Sequence, residues 1–187
     1  MKKPKLNTSN IIFLIVILLL IIPQTRQPIQ VFLHKGLALI GPSTVAEDKR
    51  EQVAHYNWEL ISDTGDVYNF NEAQGKVVLI NFWATWCPPC IAEMPSLDAL
   101  YESYKDKVVF LFVSNESQET ISNFITKNNY GFKVHTPKTA YPKPLDASAI
   151  PRTYVIDKKG FIVIDKTGAA NWNSDGVRSQ LDDLLKD

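Results

Sequence analysis

The chain is poor in cysteine, with only Cys87 and Cys90 among 187 residues. That excludes a small fold held together by disulfides, which needs several bridges in place of a core. The three histidines, His34, His55 and His135, are scattered. With one cysteine pair and no second, they do not supply the four paired ligands of a structural zinc site, and no metal or cofactor is expected. Acidic residues are missing from residues 1–41, which carry Lys2, Lys3, Lys5, Arg26 and Lys35. The whole chain balances 20 basic against 20 acidic residues, so residues 42–187 hold 15 against 20, a net of −5. A negative domain without a basic run cannot neutralise phosphates, so no nucleic-acid partner is expected. Internal repeats are also lacking, and a 45% hydrophobic, 21% charged composition excludes a disordered chain or a coiled-coil rod.

What the N-terminus does contain is a run without charge from Leu6 to Thr25, apolar throughout Ile11–Ile22. About 20 residues span a bilayer as a helix. A basic start and an apolar middle also describe a secretory signal. No small-x-small cleavage site follows Ile22, where the chain reads Pro23-Gln24-Thr25-Arg26. An uncleaved signal-anchor over residues 1–41 is therefore expected, meeting the membrane through residues 6–25, with a cleaved signal as the alternative. Lys2, Lys3 and Lys5 hold the N-terminus in the cytoplasm on the positive-inside rule, placing the body of the chain outside. Ile29–Ile40 is a weaker apolar stretch, broken by His34, Lys35 and Gly36, that suits either the membrane surface or a face of the domain. Residues 42–55 read as a linker and 56–187 as the folded domain.

Within the domain, Trp58–Ile61 and Val67–Phe70 flank Asp63-Thr64-Gly65-Asp66, a hairpin pattern. The run Lys76–Trp83, apolar from Val77 onward except at Asn81, fits a strand buried on both faces. Val108–Val113 is a second such strand. Ile91–Tyr104 and Gln118–Asn128 have helical spacing, the latter closed by Gly131. Tyr154–Ile156 and Phe161–Asp165 form a hairpin around Asp157-Lys158-Lys159-Gly160. Asn173 or Ser174 caps a last helix that runs to Leu185. The order predicts an α/β sandwich, a central sheet with helices on both sides.

The chemistry is concentrated in Trp86-Cys87-Pro88-Pro89-Cys90, directly after a buried strand and at the start of a helix. The spacing brings both sulfurs to one helix end. There the helix dipole and free N–H groups favour a thiolate on Cys87, the nucleophile of disulfide exchange. Cys90 lies one turn further in and can resolve the mixed disulfide. A bridge closing so short a loop adds little stability, so a purely structural disulfide is the weaker reading. Pro88 and Pro89 fix the backbone and offer no N–H at the turn. Glu93, three residues after Cys90, shares its helical side. It reads either as a proton acceptor and donor for the resolving thiol or as an ordinary first-turn glutamate. Trp83 fits core packing, whereas Trp86 borders the sulfurs.

Asn81-Phe82-Trp83-Ala84-Thr85-Trp86-Cys87-Pro88-Pro89-Cys90 resembles the active-site segment of thioredoxin-like proteins, in particular the membrane-anchored thiol-disulfide oxidoreductases of the TlpA/ResA type. The resemblance continues through Ile91-Ala92-Glu93-Met94-Pro95 and Ala149–Asp157, and covers roughly Tyr56 to the C-terminus. It implies a thioredoxin fold, a central mixed sheet flanked by helices, with an N-terminal β-hairpin. It also implies an insertion, within Tyr130–Ala149, before the cis-proline strand. The implied cis-proline is Pro151, set against the CxxC pair, with Ile150 offering its backbone to an extended substrate. Trp86, Pro88, Ile150 and Pro151 are thus the expected substrate contacts, and Cys87, Cys90 and Glu93 the catalytic set. Asn115, Glu116 and Arg152 are further candidates for the docking surface. The sequence departs from thioredoxins at Asn81, where those carry a buried aspartate, so that role falls to Glu93 or to water.

The activity implied is reduction of disulfides in exported proteins, with cytochrome c maturation as one pathway by analogy. A membrane or extracytoplasmic dithiol would return the electrons, since the chain has no third cysteine. Two alternatives use the same thiols: a dithiol oxidase or isomerase, and a non-catalytic haem- or metal-handling module. The expected location is the cell membrane, single-pass, with the domain on the periplasmic or extracytoplasmic side.

Overall fold

A computed structural model describes residues 7–186. Lys2, Lys3, Lys5 and Leu6, on which the expected membrane orientation and the start of the uncharged run rest, lie outside the described residues. The apolar run forms helix α1, Thr8–Ile21, with no buried side chain. It stops at Ile22 because Pro23 has no N–H to continue the ladder and instead opens α2, Pro23–Leu37, at its first position. The two axes meet at 91°. Fourteen residues rise only about 21 Å, less than the ~30 Å of a hydrocarbon core. No single helix among the described residues is long and apolar enough to cross a membrane, although α1 and α2 together pass that test as a bent pair.

Residues 45–53 then run along the domain. The Val45 N–H donates to Val163, the Val53 N–H to Gly160, and Glu51 accepts from Ile162. The hairpin follows as β1, Glu59–Ser62, and β2, Val67–Asn69. Gly65 takes φ +88° in its turn, a conformation that side chains disfavour. Next come β3, Val78–Phe82, and α3, Pro88–Tyr104. After them lie β4, Val109–Val113, and α4, Gln118–Asn128. The chain ends with β5, Val134–Pro137, β6, Arg152–Ile156, β7, Ile162–Thr167, and α5, Asp175–Lys186.

One seven-stranded mixed sheet has the order β2-β1-β5-β4-β3-β6-β7. β3 lies between parallel β4 and antiparallel β6. Its period-two alternation divides the core. Val77 and Leu79 join Met94, Leu97 and Leu100 of α3, Ile121 of α4 and Leu181 of α5. Val78, Ile80 and Phe82 face Trp58, Phe70 and Leu145 on the other side. The strand is apolar except at Asn81 because both faces are covered. By the same parity Asn81 shares the α3 face with Leu79, and this decides the chemistry below.

Three details differ from expectation. α3 begins at Pro88 rather than near Ile91, since proline is well suited to the first turn. α4 is closed by Asn129, at φ 55°, and not by Gly131; asparagine tolerates the left-handed turn. β5 arises inside the stretch expected as an insertion. It is short, and Pro137 ends it. Of the two caps expected for α5, the structure uses Ser174, whose Oγ accepts from Val177 N at 3.4 Å.

Candidate active site

The loop from β3 to α3 is held from below. Trp83 N–H donates to the Val113 carbonyl, and Cys87 N–H to that of Ala84. Glu116, just past the end of β4, grips Thr85 twice: Oε2 accepts from its N–H and Oε1 from its hydroxyl, both at 2.6 Å. Cys87 is the N-cap of α3, and its Sγ accepts from the Cys90 N–H at 3.3 Å. A sulfur at this position sits at the positive end of the helix dipole with an N–H aimed at it, which favours the thiolate. Cys87 and Cys90 are joined as a disulfide, their Cα atoms 5.3 Å apart. Cys87 retains 3% exposure and Cys90 none, whereas Trp86 beside them is 66% exposed. The outer sulfur is the one an incoming chain can reach.

The Ile150–Pro151 peptide bond is cis. Pro151 and Ile150 line a cleft with Pro89 of the motif. Among the described residues, neither the N–H nor the carbonyl of Ile150 has a hydrogen-bond partner. An unpaired backbone next to a disulfide is open to strand addition by an extended substrate chain. On the other side of Ile150 lies a groove of about 360 Å³ walled by Phe82, Trp86, Tyr141 and Ile150, with Asn115 and Glu116 at its polar end. Arg152 is not part of this surface. Its guanidinium is ion-paired with Asp146 and, at 2.9 Å, with Asp165, and these partners raise its pKa further. It locks the segment before the cis-proline onto β7. Trp83 is core, packed against Phe124.

Glu93 is not an exposed first-turn glutamate but a fully buried one. Three donors surround its carboxyl: Asn81 Nδ2 at 2.9 Å, Trp172 Nε1 at 2.9 Å and the Ala170 N–H at 3.3 Å. Asn81 also donates to Thr153 Oγ1 at 2.7 Å, its register partner on β6. Burial pushes the Glu93 carboxyl up to about 7, against the pull of those three hydrogen bonds and of Lys166. A carboxyl poised near neutrality and one turn from Cys90 can both take and return a proton. Two of its partners escape sequence reading. Ala170 and Trp172 are 77 and 79 residues away, and nothing local in the sequence marks them.

This shift has a consequence for stability. An unfolded glutamate ionises near pH 4.5, the folded one near 7, so between those values the folded state holds a proton that the unfolded state has lost. Stability therefore falls as pH rises through that window, by up to about 3 kcal/mol. Urea unfolding of the oxidised protein at pH 5 and pH 7.5 should show this fall, and Glu93→Gln should flatten it. An equal slope in the variant would mean that other groups cause it.

Among the described residues no group of three or more His, Cys, Asp or Glu is arranged to hold a metal ion. The Redoxin family model matches residues 46–185. Thioredoxin-like protein YneN of Bacillus subtilis is 33% identical over 110 residues, 57% of this chain and 65% of that protein, so the chain spans just under two thirds of it. The thiol-disulfide oxidoreductase ResA of Bacillus cereus is 30% identical over 133 residues, 70% of this chain and 73% of its own length. A DsbF homologue from Corynebacterium diphtheriae superposes with a TM-score of 0.57 at 23% identity, covering 76% of this chain and 88% of its own, a likeness of fold. With the N-capping Cys87, the disulfide to Cys90 and the cis-Pro151 beside them, these matches place the chain in the Redoxin family, as a ResA-like thiol-disulfide oxidoreductase of the thioredoxin fold.

Proposed function

We propose that the protein reduces disulfides of exported proteins from the outer face of a membrane. The observation that carries the redox step is the placement of Cys87 Sγ as the helix N-cap, bonded to a fully buried Cys90. In the reduced form the Cys87 thiolate attacks one sulfur of a substrate disulfide. The other substrate sulfur leaves as a thiolate and takes a proton from solvent. Cys90 gives its proton to Glu93 and attacks Cys87 Sγ, the substrate sulfur departs as a thiolate and takes a proton from solvent, and Glu93 later gives its proton up to solvent. Two electrons pass to the substrate and the Cys87–Cys90 disulfide remains. An external dithiol must reverse that last state, because the chain has no other cysteine. Trp86 and Pro88 flank the attacked sulfur, and Ile150 and Pro151 hold the substrate backbone. Apocytochromes c, whose haem-attachment cysteines must be reduced, belong to this substrate class by analogy.

Redox direction separates this reading from an oxidase or isomerase. Equilibration with glutathione should give one two-electron couple at or below about −230 mV, the range of reducing members of this fold. A value near about −120 mV would make the protein an oxidant instead.

Residues 1–41 serve as the anchor and 56–187 form the body of the thioredoxin-like domain, while 42–55 connect the two and pair with the domain through residues 45–53. Support comes from α1, apolar with no buried side chain, and from Phe32 and Leu33, exposed on α2. Alkaline carbonate should leave the full-length protein in the membrane pellet, and protease added to spheroplasts should digest the domain. A shortened soluble product lacking the apolar run would refute the anchor.

A further inference from the structure

Helix α2 lies against the start of α3. Gln27 Nε2 donates to the carbonyl of Thr85, two residues before Cys87, at 3.2 Å. Arg26, Gln30 and His34 fall at i, i+4 and i+8, on one helix face. Together with Gln27 they wall a cleft of about 490 Å³ whose opposite side is Trp86, Pro88 and Pro89. His34 also borders the adjoining cleft of about 440 Å³, where Pro89, Ile150 and Pro151 meet Lys166. The two clefts therefore form one surface along the motif and the cis-proline.

The charge of this surface is one-sided. Arg26 and Lys166 line it, and no Asp or Glu does. Among the described residues neither Arg26 nor Lys166 takes part in an ion pair. Glu116 lies on the far side of Ile150, in the other groove, and Glu93 is buried beneath. Yet residues 42–187 are acidic overall, 20 residues against 15 basic. A cationic cleft on an anionic domain is a local feature and not a reflection of net charge.

We infer that α2 completes the substrate cleft with a cationic wall, which selects chains carrying acidic side chains beside the disulfide. This rests on the thiol-disulfide reading above and adds a substrate class to it. Gln27, Gln30 and His34 supply hydrogen bonds along the wall, while Arg26 and Lys166 supply the charge. Complementary charge at the rim of such a site acts mainly on encounter and is screened by salt.

The test uses the reduced full-length protein in an uncharged detergent. Three peptides share one cysteine, carried as a mixed disulfide with the same reporter thiol, and differ in flanking Glu, Ser or Lys. Each rate is divided by that of dithiothreitol on the same peptide, which removes intrinsic reactivity. At low ionic strength the Glu peptide should react about tenfold faster than the Lys peptide, and the ratio should shrink towards one as salt rises. Arg26→Glu, an exposed position, should cut the ratio at least threefold, and adding Lys166→Glu should invert it. A ratio near one in the wild type, or one untouched by Arg26→Glu, overturns the inference while the Ser peptide still reports an active enzyme. Failure to reduce any of the three peptides overturns the redox reading itself.

Discussion

Glu93→Gln should leave the first attack on a substrate disulfide nearly unchanged and slow the release of product by about 10²–10⁴-fold near neutral pH. The two steps draw on different parts of the site. Cys87 is activated by the end of α3 and the Cys90 N–H, neither of which involves Glu93. Cys90 is fully buried and has no such help, so its proton needs an acceptor. With Glu93 near 7, resolution in the wild type should quicken as pH rises through neutrality and the carboxylate forms. The variant should lose that limb and follow only the thiol, ordinarily near pH ~8.5. Rotating the Asn81 amide lets Oδ1 accept from both the new side-chain amide and the Thr153 hydroxyl, but it carries Nδ2 into the buried place where Oδ1 has no partner, so the variant should also lose some stability. Stopped-flow detection of the mixed disulfide separates attack from resolution. A resolution rate within about twofold of wild type at every pH would leave Glu93 with a structural role alone.

The same residue marks the boundary of what sequence reading reaches. Asn81 stands where thioredoxins keep an aspartate, and Glu93 is the candidate to take over that acid. Strand parity turns Asn81 towards α3, and the two side chains meet at 2.9 Å. Local periodicity fixes such relations, because both residues belong to strongly patterned elements. Asn81→Asp would therefore set a second carboxylate against Glu93. Two buried carboxyls at that distance share a proton and titrate as a pair, so the change would perturb Glu93 more than replace it.

The motif, the order of elements and the cis-proline are likewise legible, the last through family resemblance. Two of the partners of Glu93 are not. Trp172 and Ala170 reach it only because the segment before α5 folds back over α3. β5 is hidden because four residues ending in proline carry little pattern, and its place comes from pairing with β1 and β4. The position of α2 is open in the sequence as well. Its apolar residues suit a membrane surface or a protein face, and only Pro23 hints at the turn that brings Gln27 to Thr85.

Cys90→Ala tests the central claim most directly. The outer sulfur is left intact at the N-cap, and the sulfur that ends the reaction is gone. The fold should tolerate the change, since the lost bridge closes a very short loop and the site remains small and apolar. Incubated with oxidised substrate, the reduced variant should lose all turnover and accumulate one substrate per chain, attached at Cys87 and released by added dithiol. Peptide mass mapping after alkylation would locate that bond. Stable adduct on Cys87, absent from Cys87→Ala, is the predicted result. No adduct in Cys90→Ala, or a stable adduct on Cys90 in Cys87→Ala, would contradict the order of thiols and the mechanism with it.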